Sequence, residues 1–209
     1  MNYRHLSLGA LILAGASVAL ISACSSSTGP GTGTMLVQLT DAPFSSDSVS
    51  RVDIFVVRVD AKTTDADSAD AEKAVSDDSA AVSDWVTLGT PKAKIELLAL
   101  RNGLTTVIGT QKVPAGSYRS FRLIIDPSQS SVTLKNGTVL TSTSTPNVSF
   151  PSAARSGIKI NLSTPIVVAD GGTTTALVDF DVNQSFVIRG SSIITSGLLF
   201  KPVIRGTTK

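Results

Sequence analysis

An apolar run from Leu6 to Ile21, broken only by Ser7, Gly9, Gly15 and Ser17, opens the chain. From Met35 onward the pattern changes. Hydrophobic positions now recur with a period of two, in short segments separated by turn residues, as in half-buried β-strands. Met35 to Leu39 is the first such segment. Val49 to Val59 is longer, with Val52, Ile54 and Val56 on one face and Phe55, Val57 and Val59 on the other, which predicts a central strand covered on both sides for part of its length. Trp85 to Leu88, Ile95 to Leu100 and Thr105 to Ile108 follow, and the run Ile95 to Leu100 fits a helical turn as well as a strand. Val113-Pro114-Ala115-Gly116 turns the chain into Ser117 to Asp126, where Phe121, Leu123 and Ile125 alternate with Ser120, Arg122 and Ile124.

Asn136-Gly137, between Val132-Thr133-Leu134 and Val139-Leu140, is the strongest hairpin signal and predicts a type I′ turn. Ile158, Ile160 and Leu162 alternate with Lys159, Asn161 and Ser163, a strand with one wet face. After a turn at Gly171-Gly172, the runs Thr174 to Ile188 and Leu198 to Ile204 close the domain, with Pro202 marking an edge or a bulge. Roughly ten strands at this spacing predict an all-β, antiparallel sandwich.

Charge adds one exception to the regular pattern. Asp60 to Asp84 holds Asp60, Asp65, Asp67, Asp70, Glu72, Asp77, Asp78 and Asp84 against Lys62 and Lys73, a local net of −6. Its only large apolar residues are Val75 and Val82, too few to order it by burial. It reads as an exposed acidic insertion, 60–84, between two strands. The run Asp65 to Glu72 has the look of a calcium loop but lacks the mid-loop glycine and the terminal glutamate at EF-hand spacing.

At the other end, the apolar run after Arg4 and His5 is short of the roughly 20 residues that span a bilayer, and small polar residues follow it, as in an export signal. It ends in Ile21-Ser22-Ala23-Cys24, which resembles the lipobox of bacterial lipoproteins. The resemblance implies that the Cys24 thiol is diacylated and that cleavage removes residues 1–23. Several acyl chains suffice for stable anchoring. Ser25 rather than Asp after the cysteine implies, by the same resemblance, the outer membrane. Residues 24–34, rich in Ser, Gly and Thr, read as a flexible tether to a folded domain at 35–205.

Composition narrows the chemistry. Cys24 is the only cysteine and His5 the only histidine. Once residues 1–23 are removed, the domain has no imidazole and no free thiol, so Ser-His-Asp, Cys-His and histidine-zinc mechanisms are excluded. Carboxylate-pair chemistry, Ser-Lys chemistry and oxygen-ligand cation binding survive. Asp179 and Asp181 read as neighbours on one strand face, and with Asp41, in the loop after the first strand, they form a candidate Ca²⁺ site. The alternative is an Asx-type turn at Asp41 into Ala42-Pro43 and ordinary ion pairs for the other two. Trp85, Tyr118 and the phenylalanines are sparse for a sugar-stacking platform, and Phe55, Phe121 and Phe180 read as core. No basic stripe suggests nucleic acid.

Leu39-Thr40-Asp41-Ala42-Pro43, Trp85-Val86-Thr87-Leu88, Ile95 to Leu100, Pro114 to Leu123, Val178-Asp179-Phe180-Asp181 and Leu199 to Ile204 occur in the order seen in a family of prokaryotic exported proteins, domain of unknown function 4382, which the chain resembles from Met35 to about Arg205. Ala115-Gly116-Ser117-Tyr118 also resembles the strand entry of transthyretin-like and carboxypeptidase-regulatory-like sandwiches, an Ig-like architecture. These resemblances imply a fold and a compartment. The expectation is a lipid-anchored cell-envelope module that binds an envelope protein or polysaccharide and is not an enzyme. A calcium-dependent adhesion domain and a carboxylate-dependent glycosidase-like enzyme are the alternatives.

Overall fold

The structure, a computed structural model, describes residues 31–42, 48–63, 85–151 and 156–209. Cys24, the export segment, most of the tether and the greater part of the acidic insertion lie outside the described residues. Three sheets make a mostly β, sandwich-like fold. The first sheet is built from β1 (Thr32–Asp41), β5 (Thr106–Pro114), β10 (Thr173–Phe180) and β13 (Ile204–Thr208), in the order β13-β10-β1-β5. The second holds β2 (Val49–Thr63), β3 (Trp85–Gly89), β4 (Ala93–Glu96), β6 (Gly116–Leu134), β7 (Val139–Leu140) and β9 (Ile158–Val168). Its path is β3-β2-β6-β7, with β4 on β2 and β9 on β6. A small third sheet, β11-β12-β8, joins Phe186–Ile188, Leu198–Phe200 and Val148–Ser149.

The sheets are not purely antiparallel as expected, because β1 pairs β10 in parallel, and so does β12 with β8. The β1–β10 pair is formed by segments far apart in sequence, so no hairpin constrains its direction. The inner faces of the two large sheets fill one core, with Met35, Val37 and Leu39 from β1 and Val52, Ile54 and Val56 from β2 meeting Phe121, Leu123, Ile125, Ile158, Ile160 and Leu162. Alternation along β1 and β9 follows the sequence reading. At the β3–β5 edge, Gly89 and Gly109 pack backbone to backbone. A Cβ on Gly109 would stand 2.7 Å from the Leu88 carbonyl oxygen.

Several boundaries shift, each for a local reason. β1 already begins at Thr32, inside the segment 24–34 read as a tether, and β13 extends past Arg205 to Thr208. β2 continues to Thr63, so Asp60 belongs to a strand and not to the exposed insertion. A register shift between Val56 and Arg58 reverses the alternation in β2. Val59 and Ala61 thereby join Val56 in the core, while Phe55 is only half-buried on the outer face. In β6 the segment between Asp126 and Ser131 bulges out, held by the Ser130 hydroxyl, which donates to Asp126 O and accepts from Phe55 N–H. The two runs on either side of it are therefore one long strand.

Ile95 to Leu100 divides into the end of β4 and a 3₁₀ turn, Leu97–Leu100, whose N-terminus is capped by Glu96. The β6–β7 turn has positive φ at Gly137 but not at Asn136, and Gly137 N–H donates to Leu134 O, so it is a type I turn with a bulge rather than type I′. Pro202 falls between β12 and β13, where the chain passes from the small sheet to the edge of the first.

Candidate functional site

Asp41 is the last residue of β1. The parallel register sets it opposite Phe180, and Asp179 opposite Thr40. Its side chain is 3% exposed. One oxygen, Oδ1, accepts from the Val182 N–H at 3.2 Å, whereas Oδ2 is buried without a hydrogen-bond partner. The bond runs to a neighbouring segment, and residues 43–47, into which an Asx turn would run, lie outside the described residues. Burial pushes the Asp41 carboxyl up from 3.8 to about 7. The Val182 hydrogen bond and Arg101 act against that rise, and the charges of Asp179 and Asp181 add to it.

Asp179 sits in β10 opposite Arg205 of β13. Desolvation raises its carboxyl, Arg205 opposes the rise, and Asp179 Oδ1 is a second buried oxygen without a partner. Asp181 departs from the expected arrangement. β10 ends at Phe180, and Asp181 is the N-cap of a short helical turn, α1 (Val182–Ser185). Its Oδ1 accepts from Gln184 N–H at 3.0 Å, as in an ordinary helix cap, and its Oδ2 is held by the Gln184 side-chain amide at 2.6 Å. The three carboxylates thus share one end of the first sheet and feel each other's charge, but Asp179 and Asp181 are not successive positions on one strand face. Among the described residues, no group of three or more His, Cys, Asp and Glu side chains is placed to hold a metal ion.

A second constellation went unnoticed in the sequence. Asp60, 1% exposed, lies on the outer face of the six-stranded sheet. It receives Arg58 Nε at 2.9 Å, Arg122 Nη2 at 2.7 Å and the Thr87 hydroxyl at 3.0 Å. Arg122 Nε also donates to it at 3.0 Å, and the Arg122 guanidinium lies 4.6 Å from the centre of the Trp85 ring. A carboxylate this buried is tolerated because charged donors replace the water it has lost. Two guanidiniums on one carboxylate leave a local positive charge. The signal in the sequence was the pair Arg58 and Asp60 followed by Arg122, but the bulge at Arg58 hides which face they share.

One further recess, about 410 Å³, lies between the β6–β7 hairpin and residues 188–194, where Lys135, Asn136, Ser191 and Ser192 face Ile188, Ile193 and Ile194. Neither the curated proteins nor the solved structures contain a match to the chain. The family model for the domain of unknown function DUF4382 matches residues 32–202, from the first residue of β1 to Pro202 before the last strand, and the chain belongs to that family.

Proposed function

We propose that the chain is an exported lipoprotein of the cell envelope, anchored through Cys24, whose Ig-like or transthyretin-like sandwich is a binding or structural module without catalysis of its own. The observation that carries this reading is the position of Ile21-Ser22-Ala23-Cys24, which ends eight residues before Thr32, where β1 begins. Acylation there would hold a folded domain close to a lipid surface through a short link of small residues. The domain's chemistry supports the same reading. Residues 32–202 contain neither histidine nor cysteine, and the buried carboxylates are occupied in capping or pairing or are withdrawn from solvent.

Metabolic labelling with a fatty acid in a lipoprotein-processing bacterium tests the anchor. The wild-type chain should take up label and lose its export segment, and Cys24→Ala should do neither and should accumulate as precursor. Normal processing of Cys24→Ala would overturn the proposal.

The calcium reading at Asp41, Asp179 and Asp181 retains one observation in its favour, the two buried oxygens without partners. A bound cation raises the melting temperature according to RT ln(1 + [L]/Kd). Absence of any shift at millimolar calcium would remove that reading.

A further inference from the structure

We propose that the free edge of β4 pairs antiparallel with the β4 edge of a second copy of this chain, so that two six-stranded sheets join across a twofold axis at Ile95. The inference goes beyond the anchor at Cys24 and does not depend on it. β4 bonds to β2 along one edge, with Glu96 opposite Asp53, Ile95 opposite Ile54, Lys94 opposite Phe55 and Ala93 opposite Val56. Among the described residues, no strand pairs with its other edge. Every second residue of an antiparallel strand turns its N–H and C=O away from its partner, so that edge offers unpaired backbone groups. The 3₁₀ turn that follows is tucked inward instead of covering it. Leu97, Leu98 and Leu100 are buried there, and Leu100 O accepts from the Thr40 hydroxyl of β1.

The side chains say which strand fits. Lys94 and Glu96 share the outer face with Phe55 and Asp53, and Ile95 lies on the core side with Ile54. In a second copy laid antiparallel about Ile95, Lys94 of each copy stands opposite Glu96 of the other. Opposite charges facing each other across a strand pair stabilise it and like charges destabilise it. Moving the axis to Lys94 sets that lysine against itself, and moving it to Glu96 does the same to the glutamate, so charge selects the register at Ile95. Lys94 is exposed and makes no ion pair among the described residues. Glu96 spends Oε1 on the Leu98 N–H at 2.9 Å and keeps Oε2 for the lysine. Asp53 behind it is already held by Arg51 Nε at 2.8 Å.

The match lies between opposed residues and so does not rest on the net charge of a face. The acidic segment 64–84 leaves β2 after Thr63 and returns at Trp85, opposite Lys62. Lys62 is about 23 Å along β2 from Phe55, the partner of Lys94. Beside the β4 edge runs an apolar groove of about 340 Å³, between β4 and the start of β5, walled by Pro91, Ile95, Ala99, Leu100 and Val107. Val107 and the nearby Leu104 are exposed. A second copy brings the same edge and the same groove, an isologous contact that closes at two. Covering the grooves supplies attraction, and the charge pairs set the register.

Sedimentation velocity of the full chain in detergent micelles, over a series of protein concentrations, tests this. The wild type should dimerise. Lys94→Glu sets like charges opposite each other at both ends of the paired segment and should weaken dimerisation about tenfold or more, as should Glu96→Lys. An equimolar mixture of the two variants restores both opposite-charge pairs and should dimerise although neither variant does alone. Lys159→Glu, on β9 at the other side of the sheet, should change nothing. Glu96 also caps the 3₁₀ turn, so urea melts accompany each variant, and Lys94→Glu, on an exposed side chain, decides if Glu96→Lys does not fold. A wild type that stays monomeric at about 0.1 mM, a Lys94→Glu dimer as tight as the wild type, or a mixture of folded variants that stays monomeric would each overturn the inference. Association through the apolar run Leu6 to Ile21 would survive Lys94→Glu and counts as the second of these results.

Discussion

Asp41 makes the fold sensitive to pH in the direction opposite to most carboxylates. Its carboxyl titrates near 3.8 when solvated and at about 7 in the folded chain, because burial with one unpartnered oxygen penalises the charged form. Between those values the folded state holds a proton that the unfolded state releases, so stability is greatest below about pH 4 and falls as pH rises through 7. Each tenfold difference in proton binding is about 1.36 kcal/mol, and full ionisation therefore costs about 4 kcal/mol. Between pH 5.0 and 7.5 the loss is about 2.5 kcal/mol, or roughly 5–10 °C in melting temperature for a domain of this size. Asp179, also raised by burial, acts with the same sign. No imidazole lies among the described residues to confuse the measurement, since the only histidine is His5.

Asp41→Asn keeps an oxygen to accept from Val182 N–H but cannot ionise. Urea melts at pH 5.0, 6.0, 7.0 and 7.5, followed by the fluorescence of the single tryptophan, should show the wild type losing stability with pH and the variant losing much less. The two should cross, with Asp41→Asn the more stable above pH 7. Parallel profiles for the two proteins, or a wild type that gains stability from pH 5.0 to 7.5, would refute the assignment of the burial penalty to Asp41.

Three substitutions test the packing around these sites. Phe200 touches Phe150, Phe180 and Phe186, with ring centroids 5.1, 5.9 and 5.1 Å away, and ties the small sheet to the core; Phe200→Ala should lower unfolding free energy by about 3–5 kcal/mol in urea melts. Tyr118 is fully buried and its hydroxyl donates to Pro114 O at 2.8 Å, so Tyr118→Phe should cost about 1 kcal/mol with an unchanged denaturant slope. Gly109→Ala drives a Cβ into the Leu88 carbonyl and should cost about 1–3 kcal/mol; a neutral result would show that the β3–β5 edge can open.

What the residue pattern disclosed depends on whether a strand keeps a single alternation. β9 does, and Ile158, Ile160 and Leu162 point inward as the period of two requires. β2 does not. Its bulge exchanges the faces, so residues that alternation assigns to the same side as Phe55 enter the core at Val59, and Asp60 and Lys62 come out beside Arg122. A bulge adds one residue without a composition of its own, which is why periodicity alone could not locate the Asp60 cluster.

The acidic site was hidden by a different cause. Asp179 and Asp181 are two apart and would share a strand face, but the strand stops between them, because Asp181 finds in the Gln184 N–H the donor that starts a helical turn. The partner of Asp41 was invisible for a third reason. Val182 lies 141 positions along the chain and is brought near only by the parallel β1–β10 pairing, which no local signal announces. Asp41, Asp179 and Asp181 were thus named in the sequence as a group and Asp60 only as part of an acidic insertion, and the environment of each was set by one bulge, one cap and one long-range pairing. Those three features decide that Asp41 is a proton-holding carboxyl, that Asp181 spends its charge on a helix end, and that Asp60 fixes two arginines on the face the protein presents outward.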